Sequence, residues 1–211
     1  MKKHLYDIFA DSWYHGGALY FYSDPHFGDK DMFKLRKVSD DEQVKRLNSK
    51  VGKKDTIIFL GDIGDTSYIS KIRGYKVLIM GNHDAGETNY RREIYTETLS
   101  VEEKPKAVRT VTVDNHLFDE VYLGILAISD KIVLSHEPID IPFMLNIHGH
   151  DHACAKNDAR HFNCCAEALD YMPVSLNEII KSGLLSHIPS IHRQTIDRAA
   201  ERKQKRLNGG N

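Results

Sequence analysis

Thr56-Ile57-Ile58-Phe59-Leu60 runs without interruption into Gly61-Asp62-Ile63-Gly64-Asp65. Such a short, almost wholly apolar run has the length of a buried strand, and the Gly-Asp pair ends it abruptly in side chains that bind metals. The same punctuation recurs on both sides. Upstream, Ala18-Leu19-Tyr20-Phe21-Tyr22 stops at Ser23-Asp24-Pro25-His26, where proline prevents simple continuation of a central strand. Downstream, the run 77–80 stops at Gly81-Asn82-His83-Asp84, the run 131–135 at His136-Glu137-Pro138, and the run 143–147 at His148-Gly149-His150-Asp151-His152.

Between the first two runs, Ser39-x-x-Glu42 reads as a capping box, and Val44, Leu47 and Val51 follow at helical spacing. Strand, helix, strand implies an α/β architecture, whose ligand sites lie beyond the carboxyl ends of the strands, where all five polar clusters fall. The runs 121–128 and 131–135, separated by Ser129-Asp130, read as a hairpin, which makes the sheet system mixed. His161-Phe162-Asn163-Cys164-Cys165 reads as a further strand. From about Leu176 the chain is helical in character, and it ends in a basic run, 198–206.

A chain of 211 residues with 41% hydrophobic and 28% charged residues suits one domain with at most a small appendage. Its net charge of -1 gives no whole-protein field to recruit nucleic acid or a membrane surface. No run approaches a membrane span, and the first residues lack the apolar core of a secretory signal. Cys154, Cys164 and Cys165 are odd in number, lack Cys-x-x-Cys spacing and read as small core residues, which points to a reducing, cytoplasmic compartment.

Carboxylates, imidazoles and an amide oxygen form a ligand set for Mn²⁺, Fe or Zn²⁺, whereas a closed structural zinc site would use thiolates. Two such ions can clamp a phosphoryl group, activate water and stabilise in-line displacement. Each cluster alone is common; their order is not. Read as D-x-H, G-D-x-x-D, G-N-H-D, a later S-H and G-H-x-H from Asp24 to His152, the series resembles the calcineurin-like metallophosphoesterase superfamily.

That resemblance implies a four-layer α-β-β-α sandwich of two mixed sheets flanked by helices, with the metallophosphoesterase domain over 1–175. The remainder, 176–211, would be a basic helical tail packed on or extending from that domain. It assigns Asp24, His26 and His152 to a first metal, Asn82, His136 and His150 to a second, and Asp62 to both. His83 is implied as the acid at the leaving group and Asp65 as the carboxylate that orients it. Two divalent ions are implied as cofactors, Mn²⁺ foremost with Fe or Zn²⁺ as alternatives. The activity implied is attack of a metal-bridging hydroxide on a small or nucleotide-like phosphodiester, with phosphomonoester hydrolysis as the alternative. The run Gly64-Asp65-Thr66-Ser67 lacks the Arg-Gly of the protein phosphatases, and Asp84 stands where they carry glutamate. The chain is most similar to the small bacterial and phage phosphoesterases, without the DNA-capturing domain of the repair nucleases.

His148 is expected outside the ligand set, and His161 and Arg160 are expected at the start of a strand. His4, His15, His116, His187 and His192 have no partner pattern. The basic run 198–206 reads as a solvated helix end, although clustered cations could also meet nucleic-acid phosphates. Two rival functions remain at this stage, a catalytically idle metal-binding module and a nucleic-acid-binding protein that uses the basic tail.

Overall fold

The computed structural model describes residues 4–84, 117–154, 158–189 and 191–208, so His116 lies outside the described residues, as do the side chains of Cys154 and His192. The runs read as strands are strands. β1 (Leu19–Tyr22), β2 (Thr56–Phe59), β3 (Tyr75–Ile79) and β4 (Glu120–Tyr122) pair in parallel, and the short β9 (Val174–Ser175) adds antiparallel to β1, giving a sheet of order β4-β3-β2-β1-β9. β5 (Leu126–Ala127), β6 (Ile132–Leu134), β7 (Leu145–His148) and β8 (His161–Asn163) form a second sheet in that order, with only β5 antiparallel. Two mixed sheets flanked by helices result.

Side-chain alternation places the core. Leu19 and Phe21, Ile58 and Leu60, and Val77 and Ile79 point from the first sheet into a cluster shared with Ile132, Leu134, Leu145 and Ile147 of the second. The intervening Ile57, Phe59 and Leu78 face the other way, onto Val44, Leu47 and Val51. Val44 and Leu47 belong to the helix read from the sequence, here α3 (Asp40–Lys50), and Val51 caps its end, after α1 (Asp7–Trp13) and α2 (Lys30–Arg36). Ser39 caps α3 by accepting from Glu42 N, but Glu42 turns its carboxylate to Arg46, so only half of the capping box forms. The complete box is at α4 (Leu176–Lys181), where Ser175 and Glu178 satisfy each other's backbone N–H groups.

One expectation changes. The run 121–128 is not one arm of a hairpin, because Val121 pairs with Leu78 in the first sheet while Leu126 and Ala127 pair with β6 in the second. The chain crosses between sheets at Leu123-Gly124-Ile125, and one apolar run serves both. Leu176, Ile179, Leu185 and Ile188 are buried in the core between the sheets, whereas α5 (Ile191–Asn208) has every described side chain exposed. Among the described residues no helix is long and apolar enough to cross a membrane.

Candidate metal centre

Parallel pairing aligns the carboxyl ends of β1, β2 and β3, and separately those of β6 and β7. The two sheets are joined at this edge. Ser23 N donates to Cys164 O, Ala166 N to Ser23 O, and His150 N to Asp24 Oδ2 at 2.9 Å. So close an approach requires Gly149, since a Cβ there would collide with Ser23 Oγ and Asp24 Oδ2. Gly81 is held likewise, because a Cβ would strike Asp62 Oδ1.

Ligand atoms of Asp24, His26 and His152 lie within 4.8 Å of one another, as do those of Asp62, His136 and His150. Asp62 stands between the groups, its Oδ2 3.8 Å from His26 Nε2 and 3.4 Å from His136 Nε2. Asn82 joins the second group through its Oδ1, 2.8 Å from His136 Nε2. All seven residues singled out as ligands therefore meet at one edge, in the two groups the resemblance implied.

Buried polar atoms test whether a metal fits. Asp24 Oδ1 and His26 Nε2 face each other at 3.9 Å, and each is buried with no hydrogen-bond partner among the described residues. Desolvated polar atoms without partners are costly, and a cation between them would satisfy both. His136 makes the same point from the other group. Its Nδ1 donates to Leu60 O at 2.7 Å, while among the described residues its Nε2 faces the acceptors Asn82 Oδ1 and Asp62 Oδ2 and, at 3.2 Å, His150 Nδ1. Burial lowers the His136 pKa, but the Asp62 bond and the charges of Asp24 and Asp62 overcome this and hold it at about 9. The two oxygens favour positive charge at that nitrogen, from a proton or from a metal ion. The donor set fits two divalent ions.

His83 belongs to neither group. Its backbone N–H donates to Asp62 Oδ1 at 3.0 Å, and its imidazole is 70% exposed, with Nε2 4.0 Å from Asp62 Oδ2. It lines a cavity of about 730 Å³ together with His26, Asp65 and His152. Asp65 shares that wall, but its Oδ1 caps the 3₁₀ turn Thr66–Lys71 by accepting from Ser67 N, and no bond to His83 forms among the described residues. His148 is buried outside both groups, donating Nδ1–H to Gly149 O. Arg160 pairs with Asp140 at 2.7 Å and His161 with Asp158 at 2.9 Å. His4, His15 and His187 are exposed.

Four supporting residues were not singled out from the sequence. Asp84 is buried and accepts from Asp62 N, Ile63 N and Gly81 N, so it ties the β2 and β3 ends together; burial nevertheless raises its pKa. Arg36 closes α2 with a side chain only 3% exposed, donating to Asp24 O and Pro25 O at 2.8 and 2.7 Å. Glu167 Oε1 accepts from Arg36 at 2.6 Å and from His152 Nδ1 at 3.1 Å, which leaves His152 Nε2 for the metal group. Cys165, read as a core residue, is free and buried, but its thiol donates to Asp24 Oδ2 at 3.2 Å. Asp84 closes the G-N-H-D motif, which carried a positional signal; the other three stand in no motif.

The calcineurin-like phosphoesterase family model matches residues 18–172. Gene 66 protein of Mycobacterium phage L5 is 39% identical over 80 residues, which cover 31% of this chain and 39% of that protein. The chain thus spans well under half the length of this curated relative. Among solved structures, the protein of unknown function AQ665 from Aquifex aeolicus is similar at a TM-score of 0.52 and 25% identity, covering 78% of this chain and 98% of its own. The Pseudomonas putida nuclease MPE aligns at 17% identity and a TM-score of 0.36, over 64% of this chain and 60% of its own. With a match spanning most of its length, the chain belongs to the calcineurin-like phosphoesterase family, a family of metal-dependent hydrolases of phosphate esters.

Proposed function

We propose that this chain is a dinuclear phosphodiesterase acting on a nucleotide-like phosphodiester. The observation that carries the diester reading is the charge of the walls. The larger cavity presents His26, Asp29, Asp65, His83 and His152, and a second cavity of about 310 Å³, bordered by Asn82 and His136, presents Leu123, Ile125, Glu137 and Ile139. Neither is lined by Lys or Arg among the described residues, and the nearby Arg36 is committed to backbone carbonyls and Glu167. A monoester dianion asks for such cations beyond the metals; a diester, with one negative charge and two substituents to seat, does not. Two cavities flanking one centre suit two substituents.

Two bound divalent ions would supply a nucleophile from water at neutral pH and neutralise the phosphoryl oxygens. The chain's own part is positioning and proton transfer. Asp62 would bridge the ions, with Asp24, His26 and His152 on one side and Asn82, His136 and His150 on the other. His83, exposed at the cavity mouth, would give its proton to the departing alkoxide, and Asp65 would orient it after exchanging the Ser67 N–H for the imidazole. Mn²⁺ is the metal we assign, because neither group contains a thiolate and imidazole, amide and carboxylate suit it. Free Cys164 and Cys165 suit a cytoplasmic location. The test is kcat/KM for bis-p-nitrophenyl phosphate against p-nitrophenyl phosphate with Mn²⁺ bound. Preference for the diester is expected; preference for the monoester overturns the reading, and two bound ions with neither substrate hydrolysed would favour an idle metal-binding module.

A further inference from the structure

We infer that the basic face of α5 binds nucleic-acid backbone, which makes a polynucleotide the substrate class of the phosphodiesterase proposed above, on which this inference rests. The helix holds six basic and two acidic residues, so it carries +4 and the rest of the chain -5 against an overall -1. The excess positive charge of the chain is therefore concentrated on α5, the element suited to meet a polyanion.

The charges on α5 are also segregated. At about 100° per residue, five of the six basic residues, Arg198, Arg202, Lys203, Lys205 and Arg206, fall within an arc of roughly 160°, and Arg193 lies outside it. Asp197 and Glu201 both lie outside it, although a random placement would interleave them. Arg198, Arg202 and Arg206 recur every four residues, about 6 Å apart along the axis. That row can meet several phosphates of a polymer carrying one charge per ~1.7 Å, but only one phosphate of a mononucleotide. Thr195, Ala199, Arg202 and Arg206 border one shallow surface on this side, and small Thr195 and Ala199 leave room between the guanidinium groups.

Every described side chain of α5 is exposed, so burial in the core does not account for the helix. Of its described apolar residues, Ile196, Ala200 and Leu207 make a narrow stripe and Ala199 lies apart from it, too little for insertion into a bilayer surface. A polar partner of high negative charge fits what remains, and planar guanidinium groups match phosphate bidentately.

The test uses the full chain with Mn²⁺ bound and a fluorescein-labelled oligonucleotide, single-stranded or duplex, followed by anisotropy across a salt series. The variant Arg198→Gln/Arg202→Gln/Arg206→Gln changes only exposed positions of a helix that glutamine sustains. It should weaken binding at least about tenfold near 0.1 M salt and lower the slope of log K against log salt by about 3. Lys53→Gln/Lys54→Gln, which removes exposed charge from the body, should leave both nearly unchanged. Hydrolysis of bis-p-nitrophenyl phosphate should be the same in the triple variant and the wild type, while hydrolysis of the oligonucleotide loses KM and keeps kcat. Wild-type binding by the triple variant, an unchanged salt slope, or tighter binding to phosphatidylserine vesicles or polyglutamate would overturn the inference. Oligonucleotide binding that depends on these arginines, in a protein that hydrolyses no diester, would uphold the arm and sink only the proposed activity.

Discussion

Glu167→Gln isolates the contact that orients His152. In the wild-type chain one carboxylate oxygen is shared by His152 Nδ1 at 3.1 Å and Arg36 at 2.6 Å, with the Glu167 side chain 15% exposed. Burial raises the Glu167 pKa, but the His152 bond and the Arg36 charge outweigh it and leave it below its ordinary value. This contribution to stability is present above the unfolded carboxylate pKa and is lost as pH falls through the folded one. Glutamine keeps the shape and an acceptor oxygen but removes the charge. A hydrogen bond to a charged group contributes about 1.5–3 kcal/mol against about 0.5–1.5 for a neutral one, so the change costs roughly 1–1.5 kcal/mol at the imidazole. That is about tenfold in affinity for the ion held by Asp24, His26 and His152, at the lower end of the 10–100-fold typical of residues behind a ligand. Titration calorimetry with Mn²⁺ should show one site weakened by this factor and the Asp62, His136 and His150 site unchanged. Arg36 also loses its counter-charge, so unfolding measured in excess chelator should be easier. Equal weakening of both sites, or wild-type affinity at both, would refute the reasoning.

Asp62→Asn should lower the content of both ions in the purified protein, whereas His136→Ala should mainly lower one; an Asp62 variant that retains two ions per chain rules out the bridge. His83→Asn should retain both ions and lower kcat by ~10²–10⁴ for alkyl diesters, with a smaller loss for p-nitrophenyl esters, whose leaving group needs little protonation. Loss of an ion, or equal deficits for both leaving groups, would remove His83 from proton transfer. In the metal-stripped protein His136 is protonated up to about pH 9, and binding must displace that proton. Affinity at the second site should therefore rise by about tenfold per unit between pH 7 and 9 and then level, with proton release measurable in buffers of different ionisation enthalpy. The sign for the stripped fold is opposite, since the raised pKa stabilises fully below the unfolded value near 6.5 and the benefit disappears as pH rises through about 9. A pH-independent affinity would contradict this account.

The strands and the clusters of candidate ligands were legible because both rest on strong local patterns. A buried parallel strand is a continuous apolar run, and a metal site places unusual side chains at the end of each. The supporting residues were not legible, because their roles arise from contacts between distant segments. Glu167 is 131 residues from Arg36, and Cys165 is 141 from Asp24. The split of 121–128 between two sheets was hidden for a related reason. Strand propensity says that a run is extended, but which neighbour it pairs with depends on the sheet that each half reaches. At Ser39 the local pattern was right about the cap and silent about the competing Arg46 that took Glu42 away.

What turns five strand ends into one centre is also a backbone property that no residue-type pattern displays. Asp24, His26, Asp62, His150 and His152, five of the seven proposed ligands, have φ between 46° and 68°. Only glycine adopts this region freely, and asparagine or aspartate with modest penalty, so histidine there is disfavoured by roughly 1–2 kcal/mol. The surrounding structure holds them, with Asp24 N donating to Gly61 O, His26 N to Asp62 O and His150 N to Asp24 Oδ2. An extended residue at the same place would send successive side chains to opposite faces of the sheet, as the strand before it does. The left-handed turn breaks that alternation and aims neighbouring side chains at a common point. Because the bonds that hold three of these turns run between protein groups, the fold itself contributes to the ligand geometry. The order of the motifs can therefore matter more than the residues between them: parallel strands in register fix where each turn falls, and the intervening loops have only to return the chain.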